Sequence, residues 1–305
     1  MPLMLSSRAA RWRTFWIISV CAFAPLLHGQ DAAAESESDS AIAGTAQALE
    51  SLIDRLPDLL DLGLPGFART GAVQLIARPR FGDLLHEDYF RLPVGVRVQA
   101  LEHWEVRTEA RTYFTHGFGD PAGYGLYEVQ AGVKREWPRT QETGWAAGVD
   151  FVTAVSRPPP GITDGLRHWV PYVSNSFELM PTKGVLGFAT LSADFISRTS
   201  LQPDFRTNQL RQDSLMVTVG AARDFARFRV IVAASVADTT LLSSTSEQTV
   251  ALRPSVVIPV LKRKDNSARA QLTFGGRAVW GPDGWDFGVN TSVRVDLRYN
   301  AGRKP

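Results

Sequence analysis

The sequence predicts an all-β protein: a transmembrane antiparallel up-and-down β-barrel of about 12 strands, preceded by a signal peptide and a short N-terminal amphipathic helix. Three observations predict it. The apolar pattern changes from a period of 3.6 to a period of 2 near residue 71 and keeps that period to residue 299. The alternating runs extend over about 11 to 15 residues, whereas strands of soluble proteins average about 5 to 6. The tryptophans beyond the leader lie at the ends of these runs.

Residues 1–30 have the layout of a secretory signal peptide. Arg8, Arg11 and Arg13 precede an apolar run from Phe15 to Leu27, and small residues follow. An N-terminal membrane anchor is the alternative, but the run is shorter than the roughly 20 apolar residues of a membrane helix. We therefore expect cleavage and export.

Composition narrows the functional classes. The chain of 305 residues is 44% hydrophobic and 21% charged, as in globular proteins. Without the three leader arginines, 30 bases stand against 31 acids, so charge gives no reason to expect a nucleic-acid partner. Cys21, the only cysteine, lies in the leader, and the exported chain has neither disulfides nor thiolate chemistry.

Residues 31–70 are predicted to be a periplasmic linker with a short helix. Residues 31–40 are small and acidic, which is typical of a flexible segment. Apolar side chains at helical spacing then predict an amphipathic helix that ends near Pro57; they are Ile42, Ala46, Leu49, Ile53 and Leu56. The helix either packs against the rim of the main domain or serves as a plug or docking helix.

Residues 71–299 contain the predicted strands, of which the first, residues 71–81, is the least secure. In residues 103–114, uncharged side chains such as Trp104 and Val106 alternate with charged ones such as Glu105 and Arg107. Residues 125–137 continue the pattern, with Tyr127 on the uncharged face. About 11 residues at about 3.3 Å each, tilted near 40°, rise close to the 25 Å of a membrane apolar band.

The aromatic residues at strand ends predict two girdles at the membrane interfaces. Tryptophans in a soluble core would be scattered along the strands, whereas amphipathic rings gather where the environment is half wet. The predicted girdle residues are Trp104, Trp137, Trp145, Trp169, Trp280, Trp285 and Tyr299.

The polar face of the strands divides by charge along the chain. Its earlier part predicts an acidic wall of the lumen, on which the acids outnumber Arg107, Arg111 and Lys134. The acids are Glu105, Glu109, Glu128, Glu136, Asp150, Glu178 and Asp194. Its later part predicts a basic wall: Arg227, Arg229, Arg253, Arg269, Arg277, Arg294 and Arg298. The two walls either stand apart across water, where they would tune selectivity, or meet in salt bridges that seal a narrow barrel.

The final strand "VNTSVRVDLRY" is similar to the C-terminal strand of Gram-negative outer-membrane β-barrels, which alternates apolar residues and closes on an aromatic, here Tyr299. Residues 71–299 as a whole resemble the porin-like kind of this family. The resemblance implies residence in the outer-membrane lipid and insertion by the barrel assembly machinery. It implies no particular substrate, and residues 300–305 follow as a periplasmic tail.

Signals for catalysis are weak. His86, His116 and His168 lie in or beside predicted outer loops with aspartates nearby, which allows an acid–base cluster at the rim. Solvated loop residues are the simpler interpretation, so we predict no catalytic residue and no enzyme activity. The chain has no metal-ligand motif, and we predict neither metal nor cofactor.

Four functions remain open from sequence. The leading hypothesis is a passive channel for a small-solute substrate, because the barrel is of middling size and its interior is charged. The second is a sealed structural barrel whose outer loops bind a partner. A barrel hydrolase and a soluble secreted β-protein with the two faces inverted are the others.

Overall fold

The computed structural model describes residues 72–81, 89–115, 123–140, 143–157, 165–201, 213–243, 247–262, 268–281 and 284–298. The predicted signal peptide, linker, helix and C-terminal tail lie outside these residues. No helix in the described ranges is long and apolar enough to span a bilayer.

The described residues are almost entirely β-strand. In chain order the strands are β1 (Ala72–Ala77), β2 (Arg80–Phe81), β3 (Tyr89–Leu101), β4 (Trp104–Thr115), β5 (Tyr124–Pro138), β6 (Gly144–Ala154), β7 (Arg167–Met180), β8 (Val185–Ser197), β9 (Ser214–Asp224), β10 (Arg229–Asp238), β11 (Gln248–Lys262), β12 (Ala268–Gly281) and β13 (Gly284–Arg298). A single 3₁₀ turn, Pro181–Lys183, joins β7 to β8.

The sheet closes on itself because β1 and β2 are two parts of one strand. Both pair with β13 on one side and with β3 on the other. The interruption falls at Arg78 and Pro79, where proline has no N–H to give to the ladder. The Arg78 amide still donates to the Pro93 carbonyl at 2.9 Å. The result is a closed antiparallel barrel of twelve strands, and the predicted fold class and strand number are confirmed.

Short and long connections alternate between the two ends of the barrel. At one end, two to five residues join β3 to β4, β5 to β6, β7 to β8, β9 to β10 and β11 to β12. At the other end the connections span seven to sixteen residues, except for two residues between β12 and β13. Short turns of bacterial outer-membrane barrels face the periplasm. We use these names as labels: the end with the short turns is called periplasmic, and the end with the long connections is called external.

The barrel is polar inside and apolar outside. On β4, for example, Glu105 and Glu109 are buried, whereas Val106 and Phe114 on the opposite face are exposed. The same division holds on β7, where Ser174 alternates with exposed Val173. Charges gathered inside a closed sheet, with valines and aromatic rings outside it, are the reverse of a soluble β-protein. The soluble alternative is thereby excluded.

Tyr127 departs from the simple alternation. Tyr127 was predicted on the uncharged outer face, but it is only 5% exposed. A register shift between β4 and β5 pairs Arg111 with Glu128 and Thr112 with Leu126, which leaves Tyr127 as the extra residue of a bulge. Its ring turns inward and lies 6.3 Å from the Tyr113 ring, centroid to centroid.

Candidate functional site

The interior of the barrel on the β3–β6 side carries a chain of ion pairs. At the periplasmic end, Glu105 on β4 forms ion pairs with two neighbouring strands: Arg97 Nε lies 3.0 Å from it and Lys134 Nζ lies 3.2 Å from it. Lys134 also contacts Glu136 at 2.7 Å. All four side chains are buried. Two bases and two acids on β3, β4 and β5 therefore balance each other's charge at this height of the barrel.

The next level is held by one bidentate pair. Arg107 on β4 donates from Nε to Asp150 Oδ1 at 2.7 Å and from a terminal nitrogen to the other carboxylate oxygen. The partners lie two strands apart, and Gly132 on β5 stands between them in the ladder. The Arg107 guanidinium also lies 5.9 Å from the centroid of the Tyr172 ring. The pair thus spans β4, β5 and β6.

The level nearest the external end centres on Arg111. Its guanidinium donates to Glu109 at 3.0 Å, Glu128 at 2.8 Å and Gln130 at 2.8 Å. Glu109 is also paired with Arg78, from the closing strand. A small pocket borders this level and the one below, lined by Arg78, Arg97, Arg107, Glu109 and Gln130 among others.

The residues of the predicted acidic wall occupy two different environments. Six of the seven are buried: Glu105, Glu109, Glu128, Glu136, Asp150 and Asp194. The seventh, Glu178, is exposed near the periplasmic end of β7, close to the 3₁₀ turn. The buried acids on β4 to β6 do not form a wall of one sign, because arginines and a lysine on the same and adjacent strands stand between them.

The predicted basic wall is also only partly inside. The sequence pattern assigns Arg227 to a strand, but the residue lies exposed in the β9–β10 turn, because β9 ends at Asp224 and β10 begins at Arg229. Arg229 pairs with Asp224 across the mouth of that turn, with Nε 2.5 Å from Oδ1. Arg253, Arg277 and Arg294 lie on inward positions of β11, β12 and β13, while the side chains of Arg269 and Arg298 lie outside the described residues.

Sequence reasoning missed three inward arginines, Arg78, Arg91 and Arg97, on the first strands of the barrel. Residues 91–99 carry a usable signal, since Arg91, Arg97 and Gln99 share one parity and Val94, Val96 and Val98 share the other. With these three included, inward bases occur on each strand from β11 through β13, the first strand (β1 and β2) and β3 to β4. Two acids of β4 pair with bases on this side: Glu105 with Arg97 and Glu109 with Arg78.

A further part of the interior, on β8 to β11, is apolar. Buried Leu186, Phe188, Ala222, Ile231, Ala233 and Val257 form one cluster there. Towards the external end a second cluster joins Val170, Met216 and Ala237. Hydroxyls lie between the clusters, and Thr218 and Ser235 bond each other at 2.8 Å. The interior therefore has a charged side and an apolar side.

Large inward side chains lie along the wall because glycines on neighbouring strands make room for them. A Cβ on Gly132 would lie 1.9 Å from Asp150 Oδ1, and one on Gly148 would lie 2.6 Å from the Tyr172 hydroxyl. Gly125 bears the same relation to Tyr113, and Gly220 to Phe188. Each pair sits on adjacent strands, so the larger side chain covers a glycine instead of crossing the lumen.

His168 is the one of the three predicted rim histidines that lies within the described residues. It is buried on the inward face of β7, and its Nδ1 lies 3.0 Å from both carboxylate oxygens of Asp194 on β8. It is thus a strand residue rather than a loop residue. His86 and His116 lie outside the described residues. Within the described ranges, no group of three or more His, Cys, Asp or Glu side chains could hold a metal ion.

The described tryptophans of the predicted girdles lie on the outward face at strand ends. Trp104, Trp137 and Trp145 are neighbours at the periplasmic end, where Trp137 pairs directly with Trp145. Trp169 and Trp280 are exposed near the external end, and the Trp169 ring lies 4.6 Å from that of Phe151. The side chains of Trp285 and Tyr299 lie outside the described residues.

No protein-family profile matches the chain, and no curated protein sequence matches it. Among solved structures it is similar to an outer-membrane channel from Pseudomonas putida F1, at 10% identity and a TM-score of 0.48 over 76% of this chain and 97% of that one. The KdgM porin shows 6% identity and a TM-score of 0.46, over 75% and 99% of the two chains. The NanC porin shows 11% identity and a TM-score of 0.44, over the same shares.

The chain's own strand pairing and polarity define its class. Lipid offers no partner for backbone N–H and C=O groups, so a sheet can span a membrane only when it closes and leaves no edge. This sheet closes, its exterior is apolar with aromatic rings near both rims, and its polar groups lie inside. The chain therefore has the fold of a membrane-spanning β-barrel.

Proposed function

We propose that this barrel is a passive channel for small solutes, and that the charged side of its interior interacts with the solutes that pass. The observation that carries the proposal is the polarity of the interior. Ionised side chains from at least three levels of β4 to β6 face the lumen, although a purely structural barrel could fill it with apolar ones. Channels select solutes partly through charged side chains that line a narrow pore.

The glycines support an open path. Because Asp150 and Tyr172 cover Gly132 and Gly148, their bulk lies against the sheet. The ion pairs also keep side chains close to the sheet, because Arg107 and Arg111 extend along the wall of the barrel to bond acids on neighbouring strands. A twelve-stranded barrel is wider than the eight-stranded ones whose interiors are filled by side chains. These features favour a lumen with room at its centre.

A sealed structural barrel is the second candidate, and a specific observation favours it. Asp150 and His168 are 0% exposed, and Glu136 and Phe188 are buried almost as completely. A wide aqueous channel would leave inward side chains more accessible. In this case the ion pairs and the apolar clusters would close the lumen, and the external loops would bind a partner.

Planar-bilayer recording of the refolded protein separates the two candidates. A channel should give discrete conductance steps that grow with KCl concentration. Phe188→Ala removes a large inward side chain and should raise the step size. Phe195→Ala is the matched control, because Phe195 lies on the same strand but faces outward. Silence of the wild-type protein and of Phe188→Ala, with both barrels refolded, would reject the channel and leave the sealed barrel.

A further inference from the structure

Outward-facing arginines lie over aromatic rings at both rims of the barrel. Arg223 lies 5.0 Å from the Phe225 ring centroid at the periplasmic end, and Arg167 lies 5.9 Å from that of Phe151 at the external end. Arg135 differs from these because it contacts two rings. Its guanidinium carbon lies 5.4 Å from the Trp104 centroid and 5.1 Å from the Trp137 centroid.

Strand register explains this grouping. Trp104 on β4 is the direct partner of Arg135 on β5, so the two side chains share the outward face. Trp137 follows two residues later on the same strand and therefore points the same way. On the other flank the partner of Arg135 is Ala147, whose methyl group leaves space beside the guanidinium. The arginine thus sits among girdle tryptophans at the periplasmic rim.

The charge of Arg135 is not matched by the protein. In the described part of the chain no carboxylate forms an ion pair with it and no acceptor bonds it. Its sequence neighbours Lys134 and Glu136 point into the barrel, where they pair with each other. The rings attract the cation but use none of its N–H donors. Its donors therefore remain available to an anion outside the barrel.

We propose that Arg135, Trp104 and Trp137 form a binding site for the phosphate group of an anionic phospholipid in the periplasmic leaflet. The aromatic girdle marks the level of the lipid headgroups. A guanidinium fork matches two phosphate oxygens, and stacking on the rings fixes its plane in advance. The exposed indole rings then pack against the upper acyl chains of the same lipid.

Native mass spectrometry of the refolded barrel in detergent, titrated with phosphatidylglycerol, tests this site. We expect Arg135→Gln to weaken retention of phosphatidylglycerol about fivefold, the effect of one basic residue near a lipid surface. Arg139→Gln is the matched control, because it removes the same charge from the exposed β5–β6 turn at the same end. Within the described residues, the hydrogen bond of Arg139 is made by its backbone amide, which donates to the Thr143 carbonyl at 2.8 Å.

Further variants and ligands examine each part of the site. Trp104→Leu with Trp137→Leu keeps the charge but removes the rings, and it should also weaken retention. Zwitterionic phosphatidylcholine should bind the wild-type protein less tightly than phosphatidylglycerol. Equal losses from Arg135→Gln and Arg139→Gln, or no loss from either, would overturn the proposal. So would displacement of the lipid by an equal concentration of inorganic phosphate. Refolding of every variant is checked by its mobility shift on unheated gels.

Discussion

The buried pair between Arg107 and Asp150 gives the sharpest test of the interior. Asp150→Asn keeps the side-chain volume and removes the negative charge. The Asp150 side chain is 0% exposed and that of Arg107 is 13% exposed, so water cannot replace the lost partner well. Two charges about 4 Å apart interact by about 4 kcal/mol at an effective dielectric constant of about 20. Removing one member of a buried pair costs about 3 to 5 kcal/mol, and we expect about 3 to 4.

The chain supplies a matched control for this change. Arg229 and Asp224 form a bidentate pair with similar atoms on the adjacent strands β9 and β10, but their side chains are 24% and 54% exposed. Because solvent screens this pair, Asp224→Asn should cost less than about 1 kcal/mol. The comparison holds the chemistry of the substitution constant, while the burial of the two pairs differs.

Equilibrium unfolding in guanidinium chloride, with the barrel in lipid vesicles and tryptophan fluorescence as the signal, measures both free energies of unfolding. The double variant Arg107→Gln with Asp150→Asn completes a thermodynamic cycle and should recover part of the loss. Equal costs for Asp150→Asn and Asp224→Asn would refute the reasoning, since it would show that the Asp150 carboxylate is as well solvated as a surface one.

Two further predictions concern packing and lipid exposure. Gly132→Ala places a Cβ 1.9 Å from Asp150 Oδ1 and should destabilise the barrel by about 1 to 3 kcal/mol. In an Asp150→Ala background the same change should cost little, and full additivity in unfolding experiments would contradict this. Val293→Arg puts a charge on the outward face of β13 and should cost about 2 to 4 kcal/mol in a lipid-vesicle unfolding assay. Ser292→Arg, on the inward face of the same strand, should cost less, and the opposite order would show that the faces are misassigned.

The strands and their faces could be predicted from sequence because a β-strand encodes both with a period of two. When one face meets lipid and the other meets charge, the alternation is strong, as in residues 104–114. The first strand was the least secure because Pro79 interrupts it after only six paired residues. The bulge at Tyr127 could not be predicted, since one inserted residue leaves no compositional mark.

The arrangement of the interior was harder to predict than its polarity. Sequence reasoning grouped charges by position along the chain, whereas their partners are set by strand neighbours and height. Glu105 therefore meets Arg97 across one hairpin and Lys134 across the next. The apolar side was missed because residues 185–191 and 230–237 are apolar or small on both parities, so alternation cannot say which of them face inward.

The closure of the barrel has a consequence for how the chain must be assembled. Ala72 pairs with Arg298 and Val73 pairs with both Leu297 and Val98, so the first strand is complete only when the last one arrives. Until then the edges of β1 and β13 are both open, and open edges of long strands invite pairing with other chains. Such non-local closure is also slow. A chain whose last strand has not yet paired therefore carries two open sheet edges, and these must be covered until the barrel closes if other chains are not to pair with them.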